Sequence, residues 1–297
     1  MLSHPEALRA RAQEDGYLFF RQLLPRADVM EVRRDILTTL AERAWLEPGT
    51  ELMDGIVNDR EINLVPEDEL RVDIGISAEG YSAVQKVHSM HRLPHHPRLI
   101  QLFRTLFDES VFVHPRHIIR VATSHRALRP TPPHQDFPLI QGSQNTWTVW
   151  GPLGDAPMEI GPLSVLRGSQ DKGVIPLGEL GTGGFDIGLE LCAGETDWLS
   201  TDFAAGDILT FPALTIHRAM TATRRDAIRL SMDIRYQPAS EPIEEQSLTN
   251  HAGVDWDEIY RDWGQTDVQY YWNESTPRLS PWDDSILQYA PVGRRIC

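Results

Sequence analysis

The residues best suited to chemistry are the triplet His134-Gln135-Asp136, a distant His217 and, twelve positions beyond it, Arg229. Side chains two positions apart on a β-strand point to one face, so His134 and Asp136 are expected to offer an imidazole and a carboxylate to a single metal ion. A second histidine from another strand, His217, would complete two imidazoles and one carboxylate. Such a set leaves three coordination positions open on Fe(II). His-x-Asp is common by chance, so its weight comes from the segments around it.

The segment Ile216 to Met220, the polar stretch Thr221 to Asp226 and the segment Ile228 to Asp233 read as strand, turn, strand. A hairpin centred on Thr223 would set Arg229 opposite His217 and on the same side. A guanidinium beside a metal inside a barrel is costly unless it binds an anion. A dicarboxylate chelating that metal would supply one, through a bidentate pair. Arg224 and Arg225 fall in the turn and are expected in solvent. Arg235 shares the inward parity but is placed roughly 20 Å further along the strand, at ~3.3 Å per residue.

The elements that would position these groups follow from hydrophobic periodicity. Helix-spaced apolar residues run from about Pro5 to Glu14 and from Arg26 to Leu46, the second stripe being Val29, Val32, Ile36, Leu40 and Leu46. Tyr17 to Phe20 reads as a short strand between them. Residues 47–75 are acidic and irregular and are expected to lie over a site. Two more helices are expected around 78–90 and 96–107. From Val111 the texture changes to short apolar runs, with candidate strands at 111–122, 132–139, 145–153, 162–167, 207–211, 215–220 and 228–236, a spacing that suggests a barrel or sandwich. Residues 168–200 are glycine-rich and read as a long insertion. Their spacing lacks a proper GxGxxG and the strand–turn–helix frame of a dinucleotide site. A helix is expected near 254–263, with an aromatic-rich tail of Trp256, Trp263, Tyr270, Tyr271, Trp272 and Trp282.

Bulk properties narrow the classes. The 297 residues are 41% hydrophobic and 24% charged, ordinary for a soluble globular chain large enough to enclose a small-molecule site. A formal charge of −15 disfavours nucleic acid and anionic membrane as partners. Two cysteines, Cys192 and Cys297, form no CxxC pair, which fits a reducing compartment. No signal-peptide core and no apolar run of membrane-spanning length is present. The expectation is a cytoplasmic protein, so the acceptor-like Asn273-Glu274-Ser275 carries no meaning here. The sequence leaves the oligomeric state open.

Four ordered segments carry a resemblance: Thr131-Pro132-Pro133-His134-Gln135-Asp136, Thr148 to Asp155 (TVWGPLGD), Gly161 to Ser169 (GPLSVLRGS) and Ile228 to Tyr236 (IRLSMDIRY). Together they resemble the phytanoyl-CoA dioxygenase family of Fe(II)/2-oxoglutarate oxygenases. Glu14-Asp15-Gly16-Tyr17 before a long helix is a weaker family-like opening. The resemblance implies a mainly β fold with flanking helices, built on a double-stranded β-helix (jelly-roll, cupin-like) core. The chain would be one domain, with a helical part at about 1–110, the jelly-roll at about 111–240 and an extension over 241–297. By the same likeness His134, Asp136 and His217 would hold Fe(II), and Arg229 would bind the distal carboxylate of 2-oxoglutarate. Relatives carry that arginine eleven or twelve residues after the second histidine. Thr131, Thr148, Trp150 and Ser231 are candidates for further co-substrate contacts, Ser231 because it shares the parity of Arg229.

The implied reaction consumes O2 and 2-oxoglutarate and oxidises a small organic metabolite, with hydroxylation as the default and desaturation, epoxidation or cyclisation open. A natural-product intermediate fits this class of substrate. Halogenating relatives have a small residue where Asp136 stands, which excludes that chemistry. The coenzyme A ester of the family name is not indicated, because the expected pocket walls lack a basic cluster for its phosphates. Two other readings compete. A cupin-like metal enzyme without 2-oxoglutarate would not need Arg229, and a non-catalytic binding protein would not need an intact ligand set. His88, His91, His95 and His96 lack a further matching ligand and are read as structural.

Overall fold

A computed structural model describes residues 4–175 and 197–287. The half that carries the candidate residues is built from two sheets. The larger has six strands, in which β1 (Leu18–Phe20) pairs with β7 (Ile208–Pro212), β7 with β4 (Trp147–Pro152), and β4 with β9 (Arg229–Pro238). The far edge of β9 carries both β2 (Val111–Val113) and β3 (Ile118–Ala122). The smaller sheet orders β8 (His217–Ala219), β5 (Leu163–Leu166) and β6 (Trp198–Leu199). All these pairings are antiparallel. The expected run 111–122 is split in two at His114-Pro115, because proline cannot donate to a ladder.

The long strand β9 shows how the layers form. Leu230, Met232, Ile234 and Tyr236 are buried on one face, in one core with the helices. Those helices include Arg26–Ala41, which buries Val29, Val32, Ile36, Leu37 and Leu40, and Pro97–Phe107, which buries Leu99, Leu102, Phe103 and Leu106. The spacing of three and four residues gives each helix one apolar stripe for the sheet. Arg229, Ser231, Asp233 and Arg235 alternate onto the other face, toward the smaller sheet. There Trp150, Leu209 and Phe211 of the large sheet pack with Leu163 and Val165 of the small one. The apolar helix-facing layer therefore fixes the strand that presents the polar groups.

β1, the short strand expected at Tyr17 to Phe20, is an edge strand of the large sheet. The helix expected over 78–90 is two shorter ones, Ala78–Val84 and His88–Arg92. Residues 70–77 form a two-strand corner whose Gly75 has φ +115. A Cβ at Gly75 would stand 2.0 Å from the Val121 carbonyl oxygen, so only glycine lets this corner lie against β3. Most of the 168–200 insertion, with Cys192 and Cys297, lies outside the described residues. The aromatic tail packs with Phe112, Ile243 and Ile259 in a cluster of its own, and among the described residues it lines none of the catalytic pocket.

Candidate metal centre

The two histidines meet by backbone pairing. His134 N donates to His217 O and His217 N to His134 O, both at 3.0 Å, so the residues form a hydrogen-bonded cross-strand pair. Their ring centroids are 4.1 Å apart. The expectation of a strand over 132–139 is not met. After Gln135 the chain enters a single helical turn, Phe137–Ile140, and Asp136 stands at its start with φ −72 and ψ −36. Helical backbone, not strand alternation, swings the carboxylate back toward His134. Proline at position 138 and the bond from Phe137 N to Ala213 O (3.0 Å) favour that turn. Gln135 is fully buried and braces it: its Nε2 donates to Gly173 O (2.8 Å) and Leu214 O (2.6 Å), and its Oε1 accepts from Ile175 N (2.8 Å).

Among the described residues, His134, Asp136 and His217 form the one group of three such side chains whose ligand atoms lie within 4.8 Å of one another. Asp136 Oδ1 is 3.9 Å from His134 Nε2 and 3.8 Å from His217 Nε2. The opposite ring nitrogens are anchored: His134 Nδ1 donates to Pro132 O (2.8 Å) and His217 Nδ1 to Thr215 O (3.1 Å). That fixes the tautomer and leaves both Nε2 lone pairs facing the carboxylate, as a metal ligand requires. Asp136 Oδ2 is occupied by the Thr148 hydroxyl at 2.5 Å, so Oδ1 alone is free to coordinate. Two neutral imidazoles and one carboxylate oxygen make a donor set that fits Fe(II) with open positions.

The electrostatics agree. Burial, helped by His217, pushes the His134 imidazole down to about 3, and burial also lowers His217. Burial alone would raise Asp136. Arg235, His217, His134 and the Thr148 hydroxyl outweigh it and hold the carboxyl well below the usual range. All three ligands are therefore in their metal-binding protonation states at neutral pH.

Arg229 lines the same pocket, but by a different route from the expected hairpin. β8 pairs with β5 and β9 with β3 and β4, so residues 220–228 cross from one sheet to the other. Glu159 O, accepting from Thr223 N and Arg224 N, pins the crossing to the smaller sheet's side. His217 and Arg229 thus face each other across the sandwich. The guanidinium donates from Nη1 to Ser231 Oγ (3.2 Å) and lies 6.0 Å from the Trp150 ring centroid, while its buried Nε has no partner among the described residues. Burial lowers its pKa to about 10, against the pull of Asp233, so the charge persists. A buried cation with an unused donor fits a carboxylate ligand.

The remaining expected residues divide by contact. Trp150 and Thr131 line the pocket, the latter also accepting from Ala219 N through its carbonyl. Thr148 spends its hydroxyl on Asp136, and Ser231 spends its own on Arg229. Arg235 is the clearest correction: its Nη2 is 3.6 Å from Asp136 Oδ1. The ~20 Å along β9 separates Arg235 from Arg229, not from Asp136, which enters from another segment of the chain. Sequence reading also missed Arg120 and Asp233, which line the pocket as an ion pair at 2.9 Å. Burial works against the Arg120 charge, yet Asp233 and Asp73 outweigh it and raise its pKa. The signal was available in the parity of 229, 231, 233 and 235, which puts Asp233 on the inward face.

The sequence model of the phytanoyl-CoA dioxygenase (PhyH) family matches residues 12–227, and the chain belongs to that family. It is accordingly a non-haem oxygenase that uses Fe(II), 2-oxoglutarate and O2. Similar proteins include the 1-deoxypentalenic acid 11-beta-hydroxylases of Streptomyces arenae and Streptomyces exfoliatus, each 28% identical over 81% of this chain and 83% of the relative. The fold is shared with the epimerase SnoN from nogalamycin biosynthesis, solved with Fe3+, alpha ketoglutarate and nogalamycin RO (TM-score 0.54, 22% identity, 88% of this chain and 91% of that one). It is shared also with EctD from S. alaskensis with bound Fe (TM-score 0.53, 15% identity, 93% and 87%).

Proposed function

We propose that this enzyme hydroxylates a small, largely apolar metabolite of natural-product biosynthesis, with His134, Asp136 and His217 as the iron ligands and Arg229 as the anchor for the distal carboxylate of 2-oxoglutarate. The observation that carries the reading is the buried Arg229 guanidinium, its Nε unpartnered, in the same pocket as the three converging ligand atoms. It is what favours a 2-oxo acid oxygenase over a cupin-like metal enzyme or a binding protein. Bound iron and 2-oxoglutarate supply an O2-derived oxidant, with release of succinate and CO2. The chain's own residues orient and exclude. Ser231 and Trp150 hold the guanidinium to one side, and Thr148 and Arg235 hold Asp136 ionised with Oδ1 toward the imidazoles. Leu163, Phe211 and Trp150 make the pocket wall apolar, which keeps bulk water from the reacting position. Substrate placement then decides which C–H bond is oxidised.

The same reading treats the chain as one folding unit, because a single apolar core joins the N-terminal helices to the large sheet. It places the enzyme in the cytoplasm without a nucleic-acid or membrane partner, in keeping with a charge of −15 and the absence of any described helix long and apolar enough to cross a membrane. The test is succinate formation by purified protein supplied with Fe(II), ascorbate and 2-oxoglutarate, with metabolite extracts as substrate source. Succinate release that depends on both iron and 2-oxoglutarate is the expected result. Absence of succinate together with no thermal stabilisation by 2-oxoglutarate would favour the binding-protein reading.

A further inference from the structure

A second cavity opens beside the metal pocket and shares Arg120, Thr131, Ala219 and Arg229 with it. Much of its wall is apolar, from Ile74, Ala122, Leu128, Ile160 and Met220. The charged lining is lopsided. Among the described residues Asp73 is the one carboxylate lining it, and both its oxygens are taken by Arg71, at 2.9 and 2.7 Å. Arg120 is held by Asp233, and Arg229 belongs to the co-substrate.

Two further arginines, Arg129 and Arg225, remain at this cavity, and both are exposed. Among the described residues, Arg129 donates only to the carbonyls of Arg126 and Leu128. Arg225 has no hydrogen bond or ion pair with any described residue, whereas its neighbour Arg224 is engaged by Glu159 and Asp226. The mouth of the cavity is thus locally positive in a chain of net charge −15.

We infer that the substrate carries an anionic head group, a carboxylate or a phosphate monoester, which Arg129 and Arg225 grip at the mouth while its apolar body extends toward the metal pocket. The inference rests on the oxygenase reading of that pocket. Guanidinium forks match such oxyanions, and in this exposed setting the attraction is screened by salt. Fixing the charged end would set which carbon reaches the iron, so the two arginines determine specificity without touching the reacting atoms.

The test is calorimetric binding to the intact protein, loaded anaerobically with Fe(II) and 2-oxoglutarate. The probes are ring-bearing apolar carboxylic acids, their methyl esters and the matching phosphate monoesters. At least one acid or phosphate is expected to bind about tenfold more tightly than its neutral counterpart, the scale of a charge-assisted hydrogen bond. The phosphate and acid arms tell the two head groups apart. The R129A/R225A double variant should bring the anion down to the level of the ester, leave ester and 2-oxoglutarate binding unchanged, and be largely rescued by R129K/R225K. The inference is overturned if no anion in the panel outbinds its neutral partner, or if the double variant keeps the preference. Binding is read without turnover, so a missing succinate signal counts against the oxygenase reading, and a missing anion preference against this one.

Discussion

Among the described residues, buried histidines cluster in two regions, and one of these clusters carries a metal-ligand set. In the first, His134 and His217 each tie Nδ1 to a backbone carbonyl and aim Nε2 at Asp136. In the second, His91, His114 and His117 lie between the β-core and the C-terminal aromatics. His91 and His117 have ring centroids 5.3 Å apart, and His91 also packs on Trp263 at 5.1 Å. His91 Nε2 is bonded to Gln85 O and His114 Nε2 to Gln237 Oε1, both at 2.8 Å, and neither His117 nitrogen has a partner among the described residues. Burial depresses all of these imidazoles alike. What separates the regions is a carboxylate and the direction of the free lone pairs, not the number of histidines.

The largest expected effect sharpens that contrast. Asp136→Ala should abolish stoichiometric iron binding and lower succinate formation by about 10³-fold or more, since the oxidation chemistry resides in the metal. His117→Leu should leave iron content and turnover at the wild-type level. Metal analysis of the two variants side by side checks both, and iron lost from the His117 variant would erase the distinction. Arg229→Ala comes next. Removing a charge-assisted pair should raise the 2-oxoglutarate concentration needed for half-maximal rate by about 10- to 100-fold, with iron content unchanged. Loss of iron in that variant would make the arginine structural. Thr148→Val is expected to be milder, weakening iron binding by about 10-fold, because outer contacts orient a ligand rather than supply it. Thr148→Ser should restore it.

The smallest effect concerns pH. His91 is pushed down to about 4 and His114 to about 3 in the folded chain, against roughly 6.5 when unfolded. The unfolded state therefore binds protons first. Stability of the metal-free protein should be level above about pH 7 and decline as pH falls from about 6.5 toward 4. Thermal melts over that range read the decline, and His91→Leu should flatten part of it. A melting temperature indifferent to pH would mean the second region is open to solvent.

How much of this could be read from the sequence depended on range. The strands Trp147–Pro152 and Arg229–Pro238 and the helices Arg26–Ala41 and Pro97–Phe107 were legible, because each carries an apolar period long enough to outweigh local noise. The three ligand candidates and Arg229 were legible from motif order. Their geometry was not. A four-residue helical turn at Phe137–Ile140 is too short to show a period, so the His-x-Asp pair was assigned to a strand. The polar stretch before Arg229 resembles a hairpin turn, and only the pairing of β8 with β5 reveals a crossing between sheets. The roles of Arg120 and Arg235 are hidden for a related reason. The register of β3 with β9 brings Arg120 to Asp233, and the turn after Gln135 brings Asp136 near Arg235, neither of which a one-dimensional reading can see. The rim pair Arg129 and Arg225 sits in irregular segments, where no periodicity points inward.

The most direct measurement is anomalous diffraction at the iron edge, from crystals grown without oxygen in Fe(II) and 2-oxoglutarate. One peak bonded to His134 Nε2, His217 Nε2 and Asp136 Oδ1, with the co-substrate's far carboxylate on Arg229, is the predicted outcome. A peak among His91, His114 and His117, or a 2-oxoglutarate molecule turned away from Arg229, would contradict the account.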